Sequence, residues 1–447
     1  MKHILSRLSL LTGGALVLLM SSANAVELPA PAQNSDFYFD GAPPAPLVEL
    51  GKNLFFDKIM SGNKNISCAT CHNPLAAGAD GLSLSVGEGG VGVANYRSTG
   101  EGDSAIPSRI GRHAPHLFNL GAKEFERLNW NGIHSKVDNG LLLPSGPETP
   151  PNLNNVLAGQ SLFPIVNINE MAGQVGENEI ANKIRPGDGR FASVWDLLVA
   201  RLAETPEYVN LFKAAFDDVN SADDIRIQHY ANAISAFQGF AFRSTNSAFD
   251  QYIRGDTDAL TDKQVRGMEL FYGAANCSSC HSGVFQTDHQ FHAIAMPQIG
   301  PGAEAGTPLE DRGRAEATTA AADFAKFRTP SLRNVWITKP YGHDGAYNSL
   351  KGIVQHHLDP ITSLENYNTR QAVLPKNDEF DQVDFDGYND LVLRQKIIDA
   401  NELEPITLTK SELSDLLEFL RALTDWNALD MTWMIPESVA SGLPVED

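Results

Sequence analysis

Cysteine is scarce in this sequence, four in 447 residues. That excludes a disulfide-dense scaffold of the kind on which small secreted domains rely. Basic residues are outnumbered, 34 Lys and Arg against 55 Asp and Glu, giving a formal charge of −21. So acidic a chain is poorly suited to nucleic acid or an anionic membrane; it would suit a basic partner, although acidity alone serves solubility. Long apolar runs are missing after Met20, which argues against a membrane span. The early run from Leu8 to Met20 follows Lys2 and Arg7 and ends at Ala23-Asn24-Ala25. A basic start, a short apolar run and a small-residue cleavage site make residues 1–25 a secretory signal peptide. The mature chain is therefore expected to begin near Val26 and to be a soluble protein of the periplasm.

In an oxidising compartment four cysteines would ordinarily form two disulfides. Here they fall in two pairs, each followed at once by histidine: Cys68-Ala69-Thr70-Cys71-His72 and Cys277-Ser278-Ser279-Cys280-His281. This is the attachment pattern of c-type haem, in which the cysteines add to the vinyl groups and the histidine becomes the proximal iron ligand. Neither zinc nor a redox cysteine pair requires histidine there. Cys68, Cys71, His72, Cys277, Cys280 and His281 are thus the expected cofactor-binding residues, with His72 and His281 on the irons of two covalent haem c groups.

The surroundings of the motifs are also written twice. Gly51-Lys52-Asn53-Leu54-Phe55-Phe56 precedes the first, and Gly267-Met268-Glu269-Leu270-Phe271-Tyr272 the second. Downstream, Arg112-His113-Ala114-Pro115 through Asn119 is echoed by Phe327-Arg328-Thr329-Pro330 through Asn334, and Trp130-Asn131-Gly132 by His343-Asp344-Gly345. Repeated order and spacing favour two related units. The fold expected is mainly α: two cytochrome c-like domains, each wrapped around one covalent haem, over residues 26–244 (with linking helices) and 245–447. Thr261-x-x-Gln264 and Thr409-x-x-Glu412 are capping-box signatures, each opening a helix, and 225–242 is a third long candidate. Leu413, Leu416, Leu417, Leu420 and Leu423 recur at helical spacing and are assigned to core. The Gly/Pro-rich stretches 78–111, 140–160 and 297–315 are expected to be loops around the haems.

These motifs resemble the bacterial di-haem cytochrome c peroxidase family, which includes MauG-like protein-modifying enzymes. The similarity spans nearly the whole mature chain. It implies a peroxide site at the N-terminal haem and electron entry at the C-terminal one. Trp130 falls at the family's bridging tryptophan, where an oxidisable indole would serve packing and electron relay together. Gln160, Pro164 and Glu170 match the glutamine, proline and glutamate that the family places over the open haem face. A carboxylate there would move a proton during peroxide cleavage, its pKa raised by burial. In many relatives a histidine downstream of the first motif caps that haem. No histidine lies between His72 and His113, and near the expected place, Ser85 to Glu88, Glu88 or water would stand. The first haem is therefore expected to be permanently open, with His113 and His116 as rival ligands.

At the second haem the family's sixth ligand, methionine or tyrosine, falls on His357. This implies bis-histidine ligation by His281 and His357, with His356 as the adjacent alternative and Met296 a further one. Histidine in place of methionine should lower the potential of this haem. The family also binds one calcium between its domains, but its asparagine ligand is His113 here, and imidazole suits a hard cation badly. Backbone carbonyls near Thr319 to Ala321 would remain for it. The segment between Trp130 and Gln160 is longer than in relatives and should reshape the face that a partner meets.

Three functions stay open at this point. One is reduction of hydrogen peroxide to water with electrons from a cytochrome c or similar small redox protein. Another is MauG-like, peroxide-dependent oxidation of side chains on a partner protein. The third is plain electron transfer by a di-haem cytochrome. No nucleic acid or membrane partner is expected, and a homodimer is left open.

Overall fold

A computed structural model describes residues 27–102, 105–184, 190–303 and 309–446. The expected signal peptide lies outside the described residues, as does part of the 297–315 loop. The fold is mainly helical. The helices among the described residues include α1 (Ala45–Phe56), α2 (Cys68–Cys71), α3 (Val156–Gln160), α4 (Pro206–Ala215), α5 (Ile227–Ala241), α6 (Asp262–Phe271), α7 (Leu350–Leu358) and α8 (Lys410–Ala422). Two small antiparallel sheets accompany them: β1 (Arg127–Leu128), β2 (His134–Val137) and β3 (Gly140–Leu142) in one, β4 (Phe291–His292) and β5 (Phe327–Arg328) in the other. No helix among the described residues is long and apolar enough to cross a membrane.

Both capping boxes form as the sequence predicts. Thr261 Oγ1 accepts from the Gln264 amide at 3.3 Å while Gln264 accepts from the Thr261 amide at 2.9 Å, opening α6. Thr409 and Glu412 do the same at 3.2 and 2.7 Å, opening α8. These reciprocal bonds satisfy amides that a helix start otherwise leaves unpaired. Leu416, Leu420 and Leu423 are buried as expected, whereas Leu413 and Leu417 are only partly buried. The predicted helix over 225–242 is observed as α5.

The written repeat is a structural one. Helix α1 crosses α5 at Gly51, where a Cβ would run into the Ala233 carbonyl and stand 2.7 Å from Phe237 Cβ. Helix α6 crosses α8 at Gly267, where a Cβ would meet the Asp415 carbonyl and stand 2.8 Å from Phe419 Cβ. Beside each crossing the rings pack alike, Phe55 on Phe237 and Phe271 on Phe419, both at 5.2 Å between centroids. Asn119 and Asn334, equivalent in the repeat, both sit at positive φ and both brace the chain beyond the paired helix. The Asn119 side chain accepts from the Ser244 amide at 2.8 Å, and that of Asn334 from the Asp425 amide at 2.9 Å.

The two largest apolar cores among the described residues lie around α1 and α5 and around α6 and α8, with two small satellite clusters beside them. The last segment of the chain leaves the second half and buries Met431, Met434 and Val439 in the first core. Ion pairs tie the halves together across the seam. Arg112 holds Asp311 through two bonds of 2.7 and 2.8 Å, and Arg109 holds Asp384 at 2.9 Å.

One expectation fails locally. The stretch 140–160 is not all loop, because β3 pairs with β2 across Asp138-Asn139 and α3 begins at Val156. Leu141 and Leu143 of this hairpin pack over Gly159 of α3, so tertiary contact overrides the Gly/Pro composition.

Candidate functional site

A cavity of about 710 Å³ opens beside the first cysteine pair, within the range of about 300–1,000 Å³ usual for cofactor and ligand sites. Cys68, Cys71 and His72 line it, as do Gln160, Pro164 and Glu170 and, at the seam, Trp130 and His113. Residues far apart in sequence are thus brought to one chamber. The His72 ring donates from Nδ1 to the Gly78 carbonyl at 3.0 Å, which leaves Nε2 uncommitted, and burial lowers its pKa and keeps it neutral. The second motif is arranged the same way, His281 Nδ1 donating to the Gln286 carbonyl at 3.3 Å. The carbonyls of Pro115 and Pro330, the prolines matched by the repeat, face the same two rings.

Neither cysteine pair is joined by a disulfide. Burial pushes the Cys68 thiol up to about 11 and Cys277 to about 12, the reverse of the depressed values that mark redox-active thiolates.

The segment carrying Glu170 is a single π-type turn, Ile168–Ala172, in which the amides of Glu170, Met171 and Ala172 all point at the Asn167 carbonyl. Turns of this kind are frequent at functional sites. Nothing in the residue pattern announced it. Asn167 Nδ2 donates to Glu170 Oε1 at 3.0 Å, and burial pushes the carboxyl up to about 7. The loop at Ser85 to Glu88 presses on this turn: the Glu88 amide donates to the Glu170 carbonyl at 3.0 Å, and a Cβ at Gly87 would collide with Asn169. Glu88 does not reach the chamber as expected. Its carboxylate accepts from Asn63 and Asn65 at 2.8 and 2.7 Å, and Ser85 is the residue of this loop that lines the cavity.

Of the rival histidines, His116 faces a carbonyl at each nitrogen, Thr338 at 2.8 Å and Ala77 at 3.3 Å, and its single N–H can serve one of them. His113 donates from Nδ1 to the Leu82 carbonyl at 2.8 Å and keeps Nε2 without a partner on the cavity wall. Trp130 stands on the seam. Its Nε1–H donates to the His113 carbonyl at 2.8 Å, the Arg328 amide donates to the Trp130 carbonyl at 2.8 Å, and the His113 amide donates to the His343 carbonyl at 2.8 Å.

On the far side of the second motif, His357 of α7 faces His281 with 6.2 Å between ring centroids. Its Nδ1 donates to the Ile353 carbonyl at 2.9 Å and Nε2 is left over. A metal bonded to both Nε2 atoms at about 2 Å, the usual length for imidazole nitrogen, would hold the centroids roughly 6 Å apart. His356 is committed at both nitrogens, Nε2 to the Ile294 carbonyl at 2.7 Å and Nδ1 to the Tyr347 hydroxyl at 3.0 Å.

For calcium the residues offer little. His113 already donates to Leu82, and the carbonyls of Ala320 and Ala321 accept the amides of Asp323 and Phe324. Cys280, Asp288 and His292 bring ligand atoms within 4.8 Å of one another. There His292 is held by Asp288 and Glu402, and Cys280 belongs to the attachment motif.

Comparison with known proteins places this geometry. The family model for di-haem cytochrome c peroxidase matches residues 45–258. The chain is 31% identical to the methylamine utilization protein MauG of Methylorubrum extorquens over 312 residues, covering 70% of this chain and 68% of that one. It is 29% identical to the cytochrome c551 peroxidase of Pseudomonas aeruginosa over 68% of this chain and 70% of the relative. Among solved structures it resembles a MauG-like protein associated with microbial copper homeostasis, with a TM-score of 0.57 and 25% identity over 92% and 96% of the two chains. It shares the fold of the di-haem peroxidase BthA from Burkholderia thailandensis, at a TM-score of 0.54 and 21% identity over 87% and 88% of the chains. The chain belongs to the di-haem cytochrome c peroxidase family and is an oxidoreductase acting on peroxide.

The family's cofactor is a pair of haem c groups, and the residues present fit such groups. Both attachment motifs offer an uncommitted imidazole Nε2. On the chamber wall, the unpartnered His113 Nε2 calls for a polar partner. The buried guanidinium of Arg328, pushed down to about 10 by burial, donates to the carbonyls of Asn129 and Thr329 at 3.3 Å each and has no carboxylate partner among the described residues. An acidic group on a cofactor would pair with the Arg328 guanidinium, and the His113 Nε2, an acceptor in this tautomer, would take a hydrogen bond from a donor there.

Proposed function

We propose that this member of the family reduces hydrogen peroxide to water in the periplasm, in the chamber bounded by His72 and Glu170. The observation that carries the reading is the placement of Glu170: a carboxyl at about 7, across a ligand-sized chamber from an uncommitted proximal imidazole. Cys68, Cys71 and His72 would hold one haem, and Cys277, Cys280, His281 and His357 the other. When bound, the first haem would supply an iron able to bind peroxide and to store oxidising equivalents.

This chain's residues then manage protons and electrons. Glu170, near half-ionised at neutral pH, takes the proton from the near oxygen and returns it to the leaving oxygen, which departs as water. Asn167 holds the carboxylate in place, and Gln160 and Pro164 help shape the space above it. Two electrons from a cytochrome c or similar donor and two protons complete the conversion of one peroxide to two waters. They would enter at the His281–His357 site and cross the seam by Trp130. The units would be residues 26–244 and 245–447, the second lending its tail to the first, and residues 1–25 would direct export.

A second reading, peroxide-dependent oxidation of a partner protein's side chains, is favoured by histidine rather than methionine opposite His281. MauG of Methylorubrum extorquens is among the relatives. Purified holoprotein mixed with peroxide and reduced cytochrome c tests the first reading. Two donor molecules oxidised per peroxide consumed is the expected result. Prompt haem oxidation with the donor left reduced would favour the second, and no change in haem absorption would refute both.

A further inference from the structure

Asp57 follows α1 and is buried, yet four donors converge on its two oxygens. Oδ1 accepts from the Ile59 amide at 2.9 Å and the Ser441 hydroxyl at 2.8 Å. Oδ2 accepts from the Ser441 amide at 3.2 Å and the Tyr208 hydroxyl at 2.6 Å. Donors alone surround it, so the group is a carboxylate, and the phenol of Tyr208 is its shortest partner. Tyr208, on α4, is fully buried. Tyr208 and Tyr230 of α5 are packed into the same core, and Tyr230 is near enough to raise the Tyr208 pKa. Tyr230 is fully buried too. Its hydroxyl faces the Cys68 sulfur and has no nitrogen or oxygen partner. Two phenols thus lead from the first attachment motif into the core and end on a carboxylate.

Oxidising a phenol requires its proton to leave with the electron, and only Tyr208 has an acceptor in place. The charge balance also favours that site. The Tyr208–Asp57 pair begins as a buried anion and ends, after loss of one electron, as a neutral phenoxyl and a neutral carboxylic acid. Removing a buried charge relieves a desolvation penalty. Tyr230, facing sulfur, has nowhere to send a proton and serves only as the bridge.

We infer that Tyr208, with Asp57 as its proton acceptor and Tyr230 as the link to the first motif, is a redox-active tyrosine. It yields one electron to the oxidising equivalent left by peroxide when no donor arrives. The O–H bond of Tyr208 breaks, the proton moves to Asp57 Oδ2, and the electron travels toward Cys68 and reduces the oxidised site by one equivalent. The site would hold an unused equivalent within the protein until a donor restores the phenol. This inference rests on the peroxide reading above.

The test is freeze-quench EPR of the holoprotein after one equivalent of peroxide without donor, with haem absorption recorded in parallel. A radical signal that narrows in protein grown on ring-deuterated tyrosine is expected, falling at least tenfold in Tyr208→Phe and Asp57→Asn. Site-specific difluorotyrosine at 208, nearly the same size as tyrosine, should change the hyperfine pattern and covers the case in which either variant fails to fold. A shift in haem absorption with no tyrosine signal, or a signal unaltered by substitution at 208, overturns the inference and leaves the peroxide reading standing. No haem response to peroxide overturns both.

Discussion

His281 and His357 face each other across 6.2 Å, each with Nδ1 bound to a carbonyl and Nε2 left over, while neighbouring His356 has both nitrogens engaged. Hydrogen bonding therefore distinguishes two adjacent histidines that spacing alone separates by a single residue.

His357→Ala should convert a low-spin ferric signal to high spin and leave the other haem's signal in place. His356→Ala should keep the low-spin signal but strand the Ile294 carbonyl, at about 1–3 kcal/mol for a group left unpaired in the interior, while the Tyr347 hydroxyl keeps the Ser363 hydroxyl at 2.8 Å. EPR and thermal unfolding of the two variants separate ligation from packing. Loss of the low-spin signal in His356→Ala alone would reverse the assignment.

Glu170→Gln should retain both haems and lose peroxide turnover by about 100- to 10,000-fold, the usual contribution of a positioned acid–base group. Because burial pushes this carboxyl up to about 7, its base form appears only as pH rises through that value. In the wild type kcat/KM for peroxide should climb across about pH 6 to 8 and then level, and in the variant it should stay flat. A variant within threefold of wild type would remove Glu170 from the chemistry.

Trp130→Phe should preserve both haem spectra while slowing the sharing of oxidation between the haems. Phenylalanine fills much of the space but lacks both the easily oxidised indole and the Nε1–H that reaches the His113 carbonyl. Stopped-flow absorption after peroxide reads this directly. An unchanged rate would leave Trp130 a packing residue at the seam.

Gly51→Ala and Gly267→Ala test the internal repeat. Each new Cβ would strike a carbonyl of the crossing helix, so each should destabilise by the about 1–3 kcal/mol typical of overpacking. Thermal melts should fall by similar amounts for the two. A large loss at one position with none at the other would mean that the crossings are not equivalent.

Much of this was legible in the sequence because its signals are local. The two attachment motifs, the capping boxes at Thr261 and Thr409, and the matched pairs Gly51/Gly267, Pro115/Pro330 and Asn119/Asn334 all lie within short stretches. Contacts between distant segments were not. The hairpin at 134–142 is stabilised by packing on α3, which composition does not reveal. Glu88 is drawn away from the chamber by Asn63 and Asn65, and no spacing rule foretells that. The π turn under Glu170 depends on one carbonyl, Asn167, accepting three amides. The Tyr208–Asp57 pair joins residues on α4 and after α1 that share no motif.

The open first chamber and the paired histidines of the second site meet in one measurement, EPR of the resting ferric holoprotein followed by peroxide without prior reduction. The expected result is one high-spin and one low-spin haem, with immediate reaction at the high-spin centre. Two low-spin haems, reactive only after one-electron reduction, would contradict this and would mean that a side chain, with the unpartnered His113 Nε2 the first to examine, caps the iron held by His72.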